Sequence, residues 1–381
     1  MKRRYDPCAW FRASCIGVSS AGTRTQRLNV EIDMSSDLTK GATQLLLLGT
    51  EDSGKSTLMK SASLIFDSRP TTEKRKEIIK HVHKIVIKSM KILLQWSEIY
   101  LSVPTFDRNQ GIKSAILTHN DNDPLNPLIS SAIGELWKND PFVKTAYDRR
   151  REFFLSDGAA YFFDEIIRIS EAKYVPTDQD ILHVPITQTA VEQIEVAIDN
   201  QIVKIIECGQ KTEREKWVHL FERVHAVVFV ASLADYDKIV EGDFKRNKLV
   251  ESMALFHWVV NHPAFEYSAI VLVLTKKDLL ENQLKKSGFR LEGHVHNESR
   301  FLDFVGEETP LNVIEYIKSK FLLLATHRVN AKGPEIDRMK VYALNTLEKR
   351  SAVRRVLKDI VRYVTDDKIG ELLRSEEENE D

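Results

Sequence analysis

Apolar positions along the chain fall into two regimes. From about residue 70 to 175 they recur at steps of three and four. Ile78, Val82, Ile85, Ser89, Ile92 and Trp96 mark one face of a long helix. Thr71 or Thr72 can cap it, and Glu73 stands in its first turn. Lysines and histidines occupy the other faces, the pattern of a helix turned toward a core. Polar turns such as Asn120-Asp121-Asn122-Asp123-Pro124 lie between Pro104 and Pro127. Further helical patterns follow near 129–138, 141–153 and 159–170. No strand pattern interrupts this block. Beyond it the period changes. Glu192 to Ile198 alternates as a half-buried strand does, and Gln201 to Ile206 reads as its partner. Ala226–Ala231 and Ala269–Leu274 are continuous apolar runs, typical of parallel strands buried on both faces. Helical stretches at 243–261, 308–324 and 351–364 sit between and after them. The alternation predicts an α/β fold, a mostly parallel sheet flanked by helices, with an all-helical insertion before the second strand.

The opening of the α/β part carries the chemistry. Leu45 to Leu48 form a short buried-strand run, followed by Gly49-Thr50-Glu51-Asp52-Ser53-Gly54-Lys55-Ser56-Thr57. This fits the G-x-x-x-x-G-K-[ST] phosphate-binding loop, with strand before and helix after. Gly49 and Gly54 permit backbone conformations that a side chain obstructs. Successive N–H groups then face an anion at a helix N-terminus. Lys55 reaches the terminal phosphates, and the Ser56 hydroxyl is placed to ligate Mg2+.

Composition narrows the class. At 381 residues the chain has room for two or three domains, and 43% hydrophobic with 29% charged is ordinary for a globular protein. A net charge of −1 gives no electrostatic case for a nucleic-acid partner. No run of 18 apolar residues exists to span a bilayer. Cys8, Cys15 and Cys208 suggest neither a zinc site nor a disulfide framework, which fits a reducing compartment. Residues 1–40 show no sustained period and read as loosely ordered. Lys2 stands where N-myristoylation requires glycine. Cys8 and Cys15, beside basic and aromatic residues, are either acylation sites or part of an unmodified tail. The acidic run Glu376-Glu377-Glu378-Asn379-Glu380-Asp381 reads as a solvated tail.

Thr275-Lys276-Lys277-Asp278 directly follows the apolar run at 269–274. Guanine-specific nucleotidases place Asn-Lys-x-Asp there. The Asp278 carboxylate can accept from two donors on one edge of guanine that adenine does not offer together, and the Lys276 stem can cover the base. With these residues the chain resembles the alpha subunits of heterotrimeric G proteins. Other segments share the resemblance: Asp157-Gly158-Ala159-Ala160-Tyr161-Phe162-Phe163-Asp164, Tyr174–Leu182 leading into switch I, Gly209–Glu222 as switch II, Ala231–Asp237, and Glu251–Phe256. It runs from about 45 to 370. It implies a P-loop Ras-like domain (41–66 and 180–373) with an inserted helical domain (67–179), a loose segment 1–40 and an acidic tail 374–381.

The resemblance also implies a GDP/GTP switch with slow GTP hydrolysis and bound Mg2+. The implied nucleotide contacts are Gly49, Glu51, Asp52, Ser53, Gly54, Lys55, Ser56, Thr57, Leu182, Gly209, Thr275, Lys276, Asp278 and Thr346. Gln210 would orient the attacking water, and Ser56 with Gln188 would hold the metal. Thr187 and Thr189 are alternatives to Gln188 if the alignment shifts by one residue. The implied partners are a beta-gamma dimer, a G protein-coupled receptor and an effector, with no nucleic acid. The implied location is cytoplasmic, peripheral at the inner face of the plasma membrane. Trp217 and Phe221, four apart, would belong to the partner surface of switch II.

Several departures bear on activity. Aligned from Asp180, the family's transition-state arginine position holds Pro185, and His183 lies two residues earlier. An arginine finger is worth about 10³–10⁵ in rate, roughly 4–7 kcal/mol. Glu207-Cys208-Gly209-Gln210 stands for Asp-x-Gly-Gly-Gln, one residue shorter. Glu51 replaces a glycine and brings a carboxylate toward the phosphates, and Asp52 replaces a glutamate. These changes favour a second reading, a non-hydrolysing interaction scaffold. An adenine-using P-loop enzyme is a third reading, opposed by Asp278 and by the helical insertion.

Overall fold

The computed structural model describes residues 42–67, 70–101, 109–185, 191–208, 224–240, 243–266, 268–287, 304–325, 339–347 and 350–377. Six strands form the main sheet: β1 (Thr43–Leu48), β2 (Glu192–Ile198), β3 (Gln201–Glu207), β4 (Ala226–Ser232), β7 (Ala269–Thr275) and β8 (Lys340–Ala343), in the order β2-β3-β1-β4-β7-β8. Only the β2–β3 pairing is antiparallel. Its two-residue turn, Asp199-Asn200, has φ of 48° and 65°, the left-handed geometry a tight hairpin needs. A second, two-stranded ribbon pairs β5 (Ile239–Val240) with β6 (Asp243–Asn247).

Alternation along the strands feeds two cores. Leu46, Val227, Phe229 and Leu272 face a layer built with α9 (Lys248–Val260) and α11 (Pro310–Leu324). Leu45, Leu47, Val228, Val230 and Val273 face the opposite layer, made by α1 (Lys55–Phe66) and α12 (Arg350–Glu377). Central strands covered on both faces are apolar throughout, as their sequences promised.

A third core belongs to the helical insertion, and Val184 joins it. It is built on α2 (Thr72–Tyr100), α3 (Gln110–Thr118), α4 (Pro127–Asn139), α5 (Pro141–Asp148), α6 (Ala159–Asp164) and α7 (Ile166–Ile169). Thr71 caps α2, accepting from the Lys74 N–H at 3.4 Å. The buried face of α2 centres on Val82, Val86, Met90 and Leu93, whereas Ile78, Ile85 and Ile92 are half-buried. Ser89 and Trp96 are buried as the spacing suggested, so the covered face overlaps the expected one and is shifted toward Val86, Met90 and Leu93. Surrounding helices decide where the edge of the covered side of this amphipathic helix falls.

Other elements differ from the pattern-based expectation. Residues 110–118 are helical where turns were expected, with Ile116 fully buried. The 141–153 segment ends its helix at Asp148 and continues as a 3-10 turn over Arg150–Glu152. The 159–170 segment breaks at Glu165. Residues 243–247 are a strand rather than the start of a helix, and Asn247 caps α9 by accepting from the Leu249 and Val250 N–H groups. The last helix extends through Glu377, so the acidic run begins inside it. Residues 1–41 lie outside the described residues. No helix among the described residues is long and apolar enough to cross a membrane.

The insertion rejoins the sheet through α8 (Asp178–His183). Thr177 and Asp180 form a reciprocal capping box there. Asp180 is fully buried. It accepts from Arg168 Nη2 at 2.8 Å, Tyr161 Oη at 2.8 Å and the Thr177 N–H at 2.7 Å. Burial alone raises a carboxyl pKa, but these donors outweigh it and hold Asp180 at about 2. A folded-state value below the unfolded one stabilises the protein above about pH 4, and the gain disappears as pH falls toward 2. Asp180→Asn is expected to cost roughly 2–3 kcal/mol at pH 6. In urea melts its deficit against the parent chain should shrink toward pH 2. A deficit independent of pH would refute this account.

Candidate functional site

The loop between β1 and α1 lies at the carboxyl ends of the parallel strands, where open α/β sheets bind ligands. It is wedged between two strand ends. Gly49 has φ +149°, and a Cβ there would stand 2.1 Å from the Val230 carbonyl oxygen of β4. Gly54 has φ +101°, and its missing Cβ would lie 3.2 Å from Thr275 Oγ1. Both conformations favour glycine, and at Gly49 the backbone approach requires it. Asp52 is left-handed too, at φ 58°.

Thr275, standing where the guanine motif has asparagine, ties the two loops together. Its hydroxyl donates to the Ser53 carbonyl at 2.5 Å and lies 3.3 Å from the Ala231 carbonyl. Lys55 Nζ folds over the loop, donating to the carbonyls of Gly49 at 3.1 Å and Thr50 at 2.7 Å. Thr50 Oγ1 and Ser53 Oγ are buried beside it with no hydrogen-bond partner among the described residues. Buried hydroxyls are ordinarily paired, so these orphans fit a polar ligand held in the loop. Glu51 is exposed. Thr57 is half-buried in the first turn of α1.

The base-side residues converge on the same end of the sheet. Asp278 stands in the first turn of α10 (Lys277–Ser287). The Lys277 N–H donates to the Leu344 carbonyl at 3.5 Å, which brings the loop after β8 alongside. In that loop Thr346 is buried, and its carbonyl accepts from Ser61 Oγ of α1 at 3.5 Å. Gln179 of α8 donates to the Leu347 carbonyl at 3.1 Å. Leu182 is buried within α8.

A cluster of charges closes the site from the side of the helical insertion. Lys276, at φ 56°, places Nζ 2.6 Å from Asp157 Oδ2 and 3.1 Å from Asp52 Oδ2. Lys238 Nζ reaches Asp157 Oδ1 at 3.1 Å, and Lys248 Nζ lies 3.6 Å from Asp52 Oδ2. Burial opposes charge on Asp157, yet Lys238 and Lys276 drive its pKa far below the usual carboxylate range. Burial likewise opposes charge on Lys276, and Asp157 with Asp52 reverses the effect and raises it. Gly158 makes the reach possible, since a Cβ there would stand 2.7 Å from the His183 carbonyl. Asp157, Lys238 and Lys248 were not singled out as site residues from sequence. The Asp157-Gly158 pair lay inside a recognised segment, but its partners are far away in the chain.

At the start of α1, Ser56 Oγ donates to Glu207 Oε1 at 2.7 Å. Glu207 is buried, and burial raises its pKa although Ser56 and Lys55 work the other way. No group of three or more His, Cys, Asp or Glu side chains among the described residues forms a metal site by itself. A cation here would need oxygens from a ligand as well. Lys60 Nζ, one turn further along α1, donates to the Val184 carbonyl at 2.6 Å. Burial lowers its pKa to about 8, with Glu207 and Glu192 offsetting part of that.

Val184 precedes Pro185, which is exposed. His183, two residues before it, is held by packing contacts. Its ring stacks on Tyr161, centroids 3.9 Å apart, and its Nδ1 lies 2.8 Å from the Gln179 carbonyl. Burial lowers its pKa, which keeps the ring neutral at pH 7. Thr187, Gln188 and Thr189, and the switch II residues Gly209, Gln210, Trp217 and Phe221, lie outside the described residues.

A family model described as G-protein alpha subunit matches residues 23–364. The chain belongs to this family. It is accordingly a guanine nucleotide-binding alpha subunit, built as a Ras-like P-loop domain with a helical domain. Members of the family bind GTP and GDP, typically with Mg2+, and are generally GTPases. They partner with beta-gamma dimers, receptors and effectors, typically at a membrane surface.

The loop geometry yields a direct test. Gly49→Ala would force a Cβ into the Val230 carbonyl at a φ that L-residues avoid. Guanine nucleotide affinity is expected to fall at least a hundredfold by fluorescence titration with a labelled GDP, with the circular dichroism spectrum retained. Affinity within threefold of the parent would show that the loop is not held as described.

Proposed function

We propose that this protein is a slow GDP/GTP switch. Its Ras-like part comprises 41–66 and 180–373, and its helical part 67–179. The observation that carries the reading is the glycine-hinged loop at the strand ends. There Lys55 folds over the loop, two buried hydroxyls have no partner among the described residues, and Asp278 stands in the first turn of the neighbouring α10. In this reading Gly49 to Thr57 cradle the phosphates, and Lys276 and Asp278 with Thr275, Leu182 and Thr346 enclose the nucleoside. Gly209 and Gln210 act at the γ-phosphate. Ser56 holds Mg2+, with Gln188 completing the site. When bound, Mg2+ neutralises charge building up between the β- and γ-phosphates. The chain's own contribution is positioning. Lys55 neutralises phosphate charge, Lys60 anchors the Val184 carbonyl at the start of switch I, and the Asp157 cluster holds the helical part over the nucleotide.

Hydrolysis is slow in this reading because Pro185 carries no charge and His183 is stacked away and neutral. The same two observations favour the second reading, an interaction scaffold that keeps nucleotide without turnover. The partner set is a beta-gamma dimer, a receptor and an effector, met at the cytoplasmic face of a membrane as a peripheral protein.

Calorimetry with GTPγS, with and without Mg2+ and with ATPγS as control, tests the switch. Mg2+-dependent binding at micromolar or better affinity is expected. ATPγS should bind at least a hundredfold more weakly, and Lys55→Ala should abolish the signal. Equal affinity for both nucleotides would overturn the guanine assignment. For catalysis, Pro185→Arg is expected to raise single-turnover GTP hydrolysis about tenfold or more, a cautious fraction of the worth of an arginine finger. An unchanged rate would place the defect elsewhere in the switches and favour the scaffold.

A further inference from the structure

The chain crosses between the sheet and the helical insertion twice. It leaves after α1 to enter α2 at Thr72, and it returns through residues 174–177 into α8. Arg75, near the start of α2, touches both crossings. Its Nε donates to the Pro70 carbonyl at 3.3 Å, on the outgoing segment. Its Nη1 donates to the Pro176 carbonyl at 2.9 Å, on the returning segment. Its Nη2 donates to Asp178 Oδ1, at the start of α8. A planar guanidinium suits this work, because its donors point in fixed directions and each nitrogen here finds a different oxygen.

Asp178 carries the connection further. Its other oxygen, Oδ2, accepts from Arg350 Nη2 in the first turn of α12. The neighbouring Gln179 donates to the Leu347 carbonyl at 3.1 Å, so α8 is also tied to the loop before α12. Burial opposes charge on Asp178, but Arg75 and Arg350 reverse the effect and hold its pKa below the usual carboxylate value. The side chains of Arg75 and Asp178 are 14% and 19% exposed, so water screens this pair only in part. Arg350 is 44% exposed, and dissolved salt reaches it. None of the three belongs to the phosphate loop or to the Thr275-Lys276-Lys277-Asp278 motif. They reach a nucleotide only through the position of the insertion.

We propose that Arg75 and Arg350, meeting on Asp178, are positioning residues that clasp the helical insertion shut and set how fast a bound nucleotide leaves. The inference rests on the nucleotide switch proposed above. Arg75 binds the two crossings into one unit, and Arg350 ties that unit to the last helix of the sheet domain. The insertion turns about these crossings, so its opening must break the Arg350 bond. The fork of Arg75 meanwhile keeps the crossings from separating. The Asp157 cluster ties the insertion at another point, so loss of the clasp speeds release without abolishing closure.

The test is the release rate of a fluorescent GDP analogue, measured at about 0.05 M and about 0.5 M NaCl. Asp178→Asn, which weakens both ion pairs at once, is expected to raise release about tenfold at low salt, as the loss of a charge-assisted hydrogen bond implies. Arg350→Gln should raise it at least threefold. Asp178→Glu keeps the charge and should stay within threefold of the parent. High salt should narrow the gap between the parent and Asp178→Asn. Closure itself is read by double electron–electron resonance between nitroxides at Leu128→Cys of α4 and Leu323→Cys of α11, both exposed. Cys8 and Cys15 are replaced by serine, and Cys208 is buried. Asp178→Asn should at least double the population at longer distance. Release within twofold of the parent in Asp178→Asn and Arg350→Gln would overturn the proposal. So would equal acceleration by Asp178→Glu and Asp178→Asn at both salt concentrations, which would assign the effect to packing rather than charge. If the parent binds no GDP analogue, the nucleotide reading fails, and an unchanged nitroxide distance in Asp178→Asn would then refute the clasp separately.

Discussion

The closest constraint in the structure is the approach of the Gly49 backbone to the Val230 carbonyl. Everything around the site depends on it. Only with no side chain at Gly49 can the loop fold down onto the ends of β1 and β4. Only then does Ser53 come within reach of the Thr275 hydroxyl, and α1 start where its N-terminus faces the ligand. The loop also fixes Lys55 and Ser56 as the first residues of α1. One sterically enforced contact thus places Lys55, Ser56 and the tie to Thr275.

Charge does the corresponding work between the two halves of the molecule. Asp157 comes from the helical insertion, Lys238 and Lys276 from the ends of sheet strands, and Asp52 from the phosphate loop. Each lysine answers more than one carboxylate, which explains why the shifts on Asp157 and Lys276 run against their burial. A second bridge works through Asp178, which pairs with Arg75 of α2 and Arg350 of α12. The segment leading into switch I is therefore held by both the insertion and the last helix. Ionic contacts at a partly wetted seam are individually weak and open more readily than an apolar core. That suits a place where a nucleotide must enter and leave.

The departures from the family pattern acquire structural meaning here. Thr275 gives up an amide but still reaches the loop through its hydroxyl. Pro185 follows a carbonyl that Lys60 pins, so the backbone at this point is anchored even though the charge is missing. His183 is packed against Tyr161. In the proposed reading the chain keeps what positions a nucleotide and alters what accelerates its hydrolysis.

The sequence by itself determined the phosphate loop, the buried parallel strands and the existence of a helical insertion. These are local properties: glycine spacing, apolar runs and helical period are written in consecutive residues. It also led to the family through short motifs that stay contiguous. Only the tertiary structure decided where the edge of the buried face of α2 falls, where α12 ends, and that residues 243–247 pair as a strand. Only the tertiary structure joined Lys276 to Asp157 across 119 positions, Ser56 to Glu207 across 151 and Ser53 to Thr275 across 222. The physical reason is that side-chain period reports one element at a time. Pairing between distant charges and hydroxyls is fixed by how the packed layers bring their ends together, and it leaves no trace in local spacing.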